Sequence, residues 1–414
     1  MTLRKLLLLL LFVLTLAGCA APASAGTPLP PGNTAAPGSS PAITPTPPGT
    51  ATAFPTATDT LAPPALPPLA SPTLSRVDFK DTDNGWAIAV NDSGYVTRTV
   101  NGGTTWWNAT PAGAGPIGYS ANLFALDTNT AWLLVPGKDF FSGMLYHTRD
   151  GGLNWSSNPV PFGSALLQFP DASTGRALVD RWGRGGAEAV ELFQTSDGGA
   201  SWTSVFHDDP SQPGSSDSLP LAGIKSGLTF INANTGWVTG SIPVDGDTYL
   251  YITQDSGVSW QQQSLPLPAG YASYRYLLQA PVFFGSDGLL PVTIYLPDAA
   301  VLTVYTSQDG GVTWSGDPTD TARVISPSGL PAFADANHGY VWDGGSSIHQ
   351  SIDGTQKWTA VTTNLDLSGN LAQLDFVASP GIQPVGWALT RSDETGHSRL
   401  YHTTDGLQWT PLIP

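Results

Sequence analysis

Apolar residues in this chain fall in short runs separated by Gly-rich polar breaks, and the breaks recur in a fixed order. One unit reads as an apolar run, a turn ending in Gly, a second apolar run, a loop, a third run, an Asp turn and a last run opening on Trp. Runs this short, bounded by turn residues, predict strands rather than helices. Val77-Asp78-Phe79 leads to Asp83-Asn84-Gly85-Trp86, and Leu228-Thr229-Phe230 leads to Asn234-Thr235-Gly236-Trp237. The closing turn is clearest at Ser307-Gln308-Asp309-Gly310-Gly311-Val312-Thr313-Trp314. It recurs seven times, with Asn101, Asp150, Asp197, Asp255, Asp309, Asp353 and Asp405 in the acidic place. Trp106, Trp155, Trp202, Trp260, Trp314, Trp358 and Trp409 close the copies, 44 to 58 residues apart.

A period near fifty marks a repeat architecture. In the turn, the carboxylate accepts backbone N–H groups and the Gly pair supplies positive φ. The Trp ring then buries about 150–250 Å² between sheets. These are structural duties. The expectation is an all-β chain: a single seven-bladed β-propeller of four-stranded antiparallel blades, preceded by a disordered Pro/Thr/Ala-rich stalk.

The boxes resemble the Asp-box, or bacterial neuraminidase repeat, of sialidases, sortilin-type receptors and several glycoside hydrolases. Paired with the Gly-Trp turns, they are most similar to photosystem II assembly factor-like propellers, over about residues 74 to 414. The resemblance implies Asp boxes on the rim and a ligand on the opposite face. Copies drift: Asn101 replaces Asp, Thr355 replaces Gly, and the last is one residue short.

Arg4-Lys5 and the apolar stretch Leu6 to Leu16 read as a signal peptide, residues 1–18, too short to span a bilayer. Leu16-Ala17-Gly18-Cys19 resembles a bacterial lipobox, and Cys19 is the only cysteine. A lipidated Cys19 anchoring the chain outside the cytoplasm, at the cell membrane or outer surface, is therefore expected. Residues 19–74 form the stalk. Positions 20–74 hold fifteen prolines and a single charge, Asp59, a composition that cannot bury a core. Residues 75–414 form the propeller, expected to be monomeric.

Without residues 1–18 the chain carries 14 basic against 32 acidic groups, which argues against nucleic acid as a partner. No cofactor or metal is expected, because the six histidines show no ligand spacing and neither Asp208-Asp209 nor Asp245-Gly246-Asp247 matches a calcium loop. Both acidic clusters are expected to be solvated.

Three segments on the predicted ligand face stand out as candidate binding residues. Arg181, Trp182 and Arg184 put two arginines beside an indole. Tyr271, Tyr274 and Arg275 group aromatics around a third. Phe140 and Phe141 occupy a turn. Aromatic rings with arginine suit sugar and protein surfaces alike. No carboxylate pair converging beside a tyrosine in the central channel is expected, and no hydrolase or phosphate-loop motif occurs. The sialidase Arg-Ile-Pro motif is absent: Arg76 is followed by Val77-Asp78. The expectation is a non-catalytic binding or assembly scaffold for a protein or polysaccharide; the alternative is an extracellular glycoside hydrolase, sialidase-like or endoglucanase-like, or a lectin.

Overall fold

The computed structural model describes residues 66–90, 94–117, 120–316, 324–325, 327–365, 370–379, 383–391 and 398–413. The chain divides into two units, Met1–Thr60 and Leu61–Pro414. The expected signal peptide, Cys19 and most of the expected stalk lie outside the described residues.

The described part of the second unit is all-β, a β-propeller built from antiparallel sheets in which strands consecutive in sequence lie side by side, apart from Pro68–Leu69 in the first sheet. The sheet Asn122–Ala125, Ala131–Pro136, Gly143–Thr148, Ser156–Val160 is typical. A nine-stranded sheet consists of two such groups joined through a single Ser241–Leu277 pair. Its second group has a split inner strand, Arg275–Leu278 and Val282–Phe284, both pairing with Asp287–Tyr295.

The repeated turn is stabilised as its residue types dictate. In the clearest copy Ser307 Oγ donates to Asp309 Oδ1 at 2.8 Å and accepts from Gly311 N at 2.8 Å. Asp309 Oδ1 in turn accepts from Thr313 N at 2.9 Å. Asn101 performs the same task, accepting from Thr105 N at 2.9 Å. This turn interlocks with the one between the first and second strands of its own sheet. Gly102, Gly151 and Gly198 donate their N–H groups to the carbonyls of Asp83, Asn129 and Ser173 at 2.7–2.9 Å. Both turns therefore occupy one face.

Neighbouring sheets meet through aromatic rings. Phe169 stacks on Trp132 at 3.7 Å between centroids, Phe376 on Tyr340 at 3.6 Å and Phe79 on Trp387 at 3.6 Å. The Gly of each Gly-Trp turn makes room for a Phe ring: a Cβ on Gly386 would lie 2.2 Å from the Phe376 ring. The Phe79–Trp387 stack joins the first sheet to the last, and Trp387 Nε1 donates to the Gly102 carbonyl at 2.8 Å. The ring closes by side-by-side packing, with the last sheet, Leu371–Val377 to Thr410–Ile413, built wholly from C-terminal strands.

The expected boundary at residue 75 falls inside a strand, Leu74–Phe79, whose Leu74 is buried. Pro68–Leu69 also pairs with Trp106–Asn108 on the outer edge of the first sheet, so these residues belong to the fold rather than to a stalk.

Candidate functional site

With one face occupied by interlocked turns, the other carries the loops between second and third strands and the links between sheets. The longest hairpin there is Gly175–Arg184 with Ala187–Thr195. Its register shifts between Asp180 and Trp182, a bulge at Arg181 that re-aims the side chains beyond it. Trp182 is 41% exposed, and with Asp209 it lines one cleft. Arg181 Nε and Nη2 donate to Glu191 Oε2 at 2.8 and 2.6 Å, and the guanidinium lies 5.4 Å from the centre of the Phe193 ring. These residues form one wall of a cleft of about 460 Å³ whose other wall is His207, Asp209, Gln212 and Pro213, from the link to the next sheet. Asp209 is held below the usual carboxylate range by the Ser211 hydroxyl and N–H. The Arg184 side chain lies outside the described residues.

A buried charge cluster anchors that second wall. Lys225 Nζ lies 3.5 Å from Asp208 Oδ2 and donates to the carbonyls of Glu188 and Leu221. Asp208 Oδ1 accepts from Val190 N at 2.6 Å, and Glu188 Oε2 accepts from Lys225 N. Burial raises the carboxyls of Asp208, Glu188 and Asp180 and lowers the Lys225 ammonium. The expectation that Asp208 is solvated is thus corrected: it is 2% exposed because its partner comes from the adjoining sheet. Glu188 and Asp208 do converge beside a tyrosine, Tyr249, whose ring centre lies 5.5 Å from Lys225 Nζ. Glu188, Asp208, Lys225 and Tyr249 are all buried, whereas Asp180 is exposed.

The other candidates are distributed along the same face. Phe140 and Phe141 are 60% and 71% exposed in a turn where Asp139 Oδ1 accepts from the N–H groups of Phe141 and Ser142. Phe140 holds φ at 61°, an unusual conformation for a bulky residue. Arg275 and Asp245 form an exposed ion pair at 3.4 Å. Tyr271 and Tyr274 are half-buried against the core around Tyr276, so the aromatic group suggested by the sequence is largely packing.

A further cavity, about 600 Å³, opens among the inner strands of the first and last two sheets. Arg76, Leu330, Gln373, Asp375 and Arg391 lie along it. Desolvation pushes Asp375 up to about 7, with repulsion from Asp78 adding to it. Sequence reasoning missed this cavity, as it missed Glu191, Gln212 and Lys225. Arg76 and Asp375 are some 300 positions apart, and only the closed ring brings them together. Among the described residues, no group of three or more His, Cys, Asp or Glu side chains could hold a metal ion.

No protein-family model and no curated protein matches this chain. Among solved structures, one of two prolyl endopeptidases studied for inter-domain dynamics aligns at 12% identity with a TM-score of 0.52, over 83% of this chain and 49% of that one. This likeness is one of fold, to about half of the longer chain. YCF48 from Cyanidioschyzon merolae aligns at 17% identity, TM-score 0.49, covering 81% of this chain and 96% of that one. An ulvan-cleaving polysaccharide lyase bound to its glycan aligns at 10% identity, TM-score 0.48, covering 84% and 96%.

Proposed function

We propose that this chain is a cell-envelope lipoprotein whose Asp-box propeller, of seven four-stranded blades, is a non-catalytic binding or assembly scaffold for a protein or glycan ligand. A lipidated Cys19 anchors it to the membrane, and the Pro-rich segment sets a monomeric propeller away from that surface. One observation carries the reading. On the face opposite the interlocked turns, aromatic rings project while three carboxylates are ion-paired: Glu191 with Arg181, Asp208 with Lys225 and Asp245 with Arg275. Hydrolysis of a glycosidic bond uses two carboxyl groups that both reach the substrate, about 5–9.5 Å apart.

The second reading, an extracellular glycoside hydrolase, is favoured by Asp375. A carboxyl held near 7 in a cavity, beside a second acid, has the protonation range of a general acid.

The full chain incubated with soluble and insoluble polysaccharides separates the two. Retention without release of reducing ends is expected for a glycan-binding scaffold. Capture of an envelope protein by crosslinking in intact cells is expected for a protein-binding one. Release of reducing ends that is lost in Asp375→Asn overturns the non-catalytic reading.

A further inference from the structure

We propose that the cleft between the Arg181–Trp182 hairpin and the 207–213 link is a saccharide site that takes neutral sugars and rejects acidic ones. This rests on the binding reading above and assigns its ligand a class.

The charge of the cleft decides the class. In sequence, Arg181 beside Trp182 suits sugar and protein surfaces alike. In the structure both donating nitrogens of Arg181 are directed at Glu191 Oε2, at 2.8 and 2.6 Å, so its charge is already compensated. The remaining carboxylate, Asp209, is stabilised in its charged form by Ser211. Behind the link, Lys225 is likewise taken up by Asp208 and by the Glu188 and Leu221 carbonyls, so it offers the cleft no free cation. A carboxylate- or sulfate-bearing ligand would therefore meet the charged Asp209 on one wall and, on the other, an Arg181 already compensated by Glu191.

The rest of the cleft suits hydroxyl groups. Trp182 offers a flat apolar ring on a hairpin strand, just past the bulge that places it. Around it stand acceptors on Glu191 and Asp209, donors on Arg181, and both kinds on Gln212. Groups already held in place by neighbours bind with little ordering cost. The cleft volume, about 460 Å³, lies within the span of small-ligand sites.

Calorimetric titration of the full chain with cellotetraose, maltotetraose and chitotetraose, against trigalacturonate and 3′-sialyllactose, tests the proposal. At least one neutral oligosaccharide should bind, and Trp182→Ala should weaken it about tenfold or more, as loss of a central aromatic contact does. Trp182→Phe, which keeps a ring face, should retain most of the affinity. Glu191→Gln uncovers Arg181 and should admit trigalacturonate. Preference of the unaltered chain for the acidic sugars overturns the charge argument while leaving glycan binding intact. Neutral binding unchanged in a folded Trp182→Ala variant moves the site elsewhere. Absence of all saccharide binding overturns the proposal, and the scaffold reading then stands or falls on crosslinking to a protein.

Discussion

Gln373 hydrogen-bonds the backbone of Val77 as a neighbouring strand would. Its Oε1 accepts from Val77 N at 3.1 Å and its Nε2 donates to Val77 O at 2.7 Å. Two residues on, Asp375 Oδ2 accepts from Phe79 N at 2.7 Å. Side chains of the last inner strand thus satisfy the free edge of the first. Gln373→Ala leaves both Val77 groups unpaired and should cost about 1–3 kcal/mol, read by urea unfolding. Gln373→Glu, which sets an acceptor against the Val77 carbonyl, should cost more.

Asp375 makes the seam sensitive to pH. Its carboxyl is raised from 3.8 to about 7, chiefly by desolvation, so the fold retains a proton that the unfolded chain gives up. That contribution is fully present below about pH 4 and is lost as pH rises through 7. Asp375→Asn should abolish this part of the pH dependence, so that unfolding midpoints at pH 5 and 8 differ less than in the unaltered chain.

His147 acts with the opposite sign. It stacks on Trp132 at 4.5 Å, and desolvation, with Arg149 nearby, lowers it from 6.5 to about 4. Its contribution is present above pH 6.5 and is lost as pH falls towards 4. His147→Phe keeps the stack and removes a buried, unpartnered Nε2. The variant should be the more stable of the two at pH 5, with the advantage shrinking by pH 8 in the same assay.

Thr355 occupies the place held by Gly103, Gly152, Gly199, Gly257 and Gly311 in other copies, at a φ of 68°. A β-branched residue there is strained, and its hydroxyl is buried without a partner. Thr355→Gly should stabilise the fold by about 1 kcal/mol, seen as a higher melting temperature.

Lys225 compensates two buried acids. Lys225→Met should destabilise by about 3–5 kcal/mol by leaving Glu188 and Asp208 uncompensated. Adding Glu188→Gln and Asp208→Asn should recover most of that loss in urea unfolding.

The strands and turns were legible because each repeat carries its own local chemistry: a hydroxyl and a carboxylate close one turn, and a Gly beneath a Phe ring opens the next strand. What depended on other sheets was hidden. Asp208 looked solvated because Lys225, its partner, enters from the adjoining sheet. Arg181 looked like a free cation because Glu191 faces it only across a bulged hairpin. Tyr271 and Tyr274 looked like a surface group, yet they pack against the core around Tyr276, the buried residue of the strand Arg275–Leu278 that follows. Pro68–Leu69 was submerged in a Pro-rich composition whose average says nothing about a two-residue pairing.

That short pairing has a mechanical meaning. Pro68 and Leu69 are clipped to Trp107 and Trp106, with Asn108 N donating to the Pro67 carbonyl at 2.8 Å. Tension on the chain ahead of Pro67 loads this clip first, at the outer edge of the first sheet. Under such a load the clip would serve as a fuse, peeling away and yielding slack before force reached Leu74 and the seam between the first and last sheets.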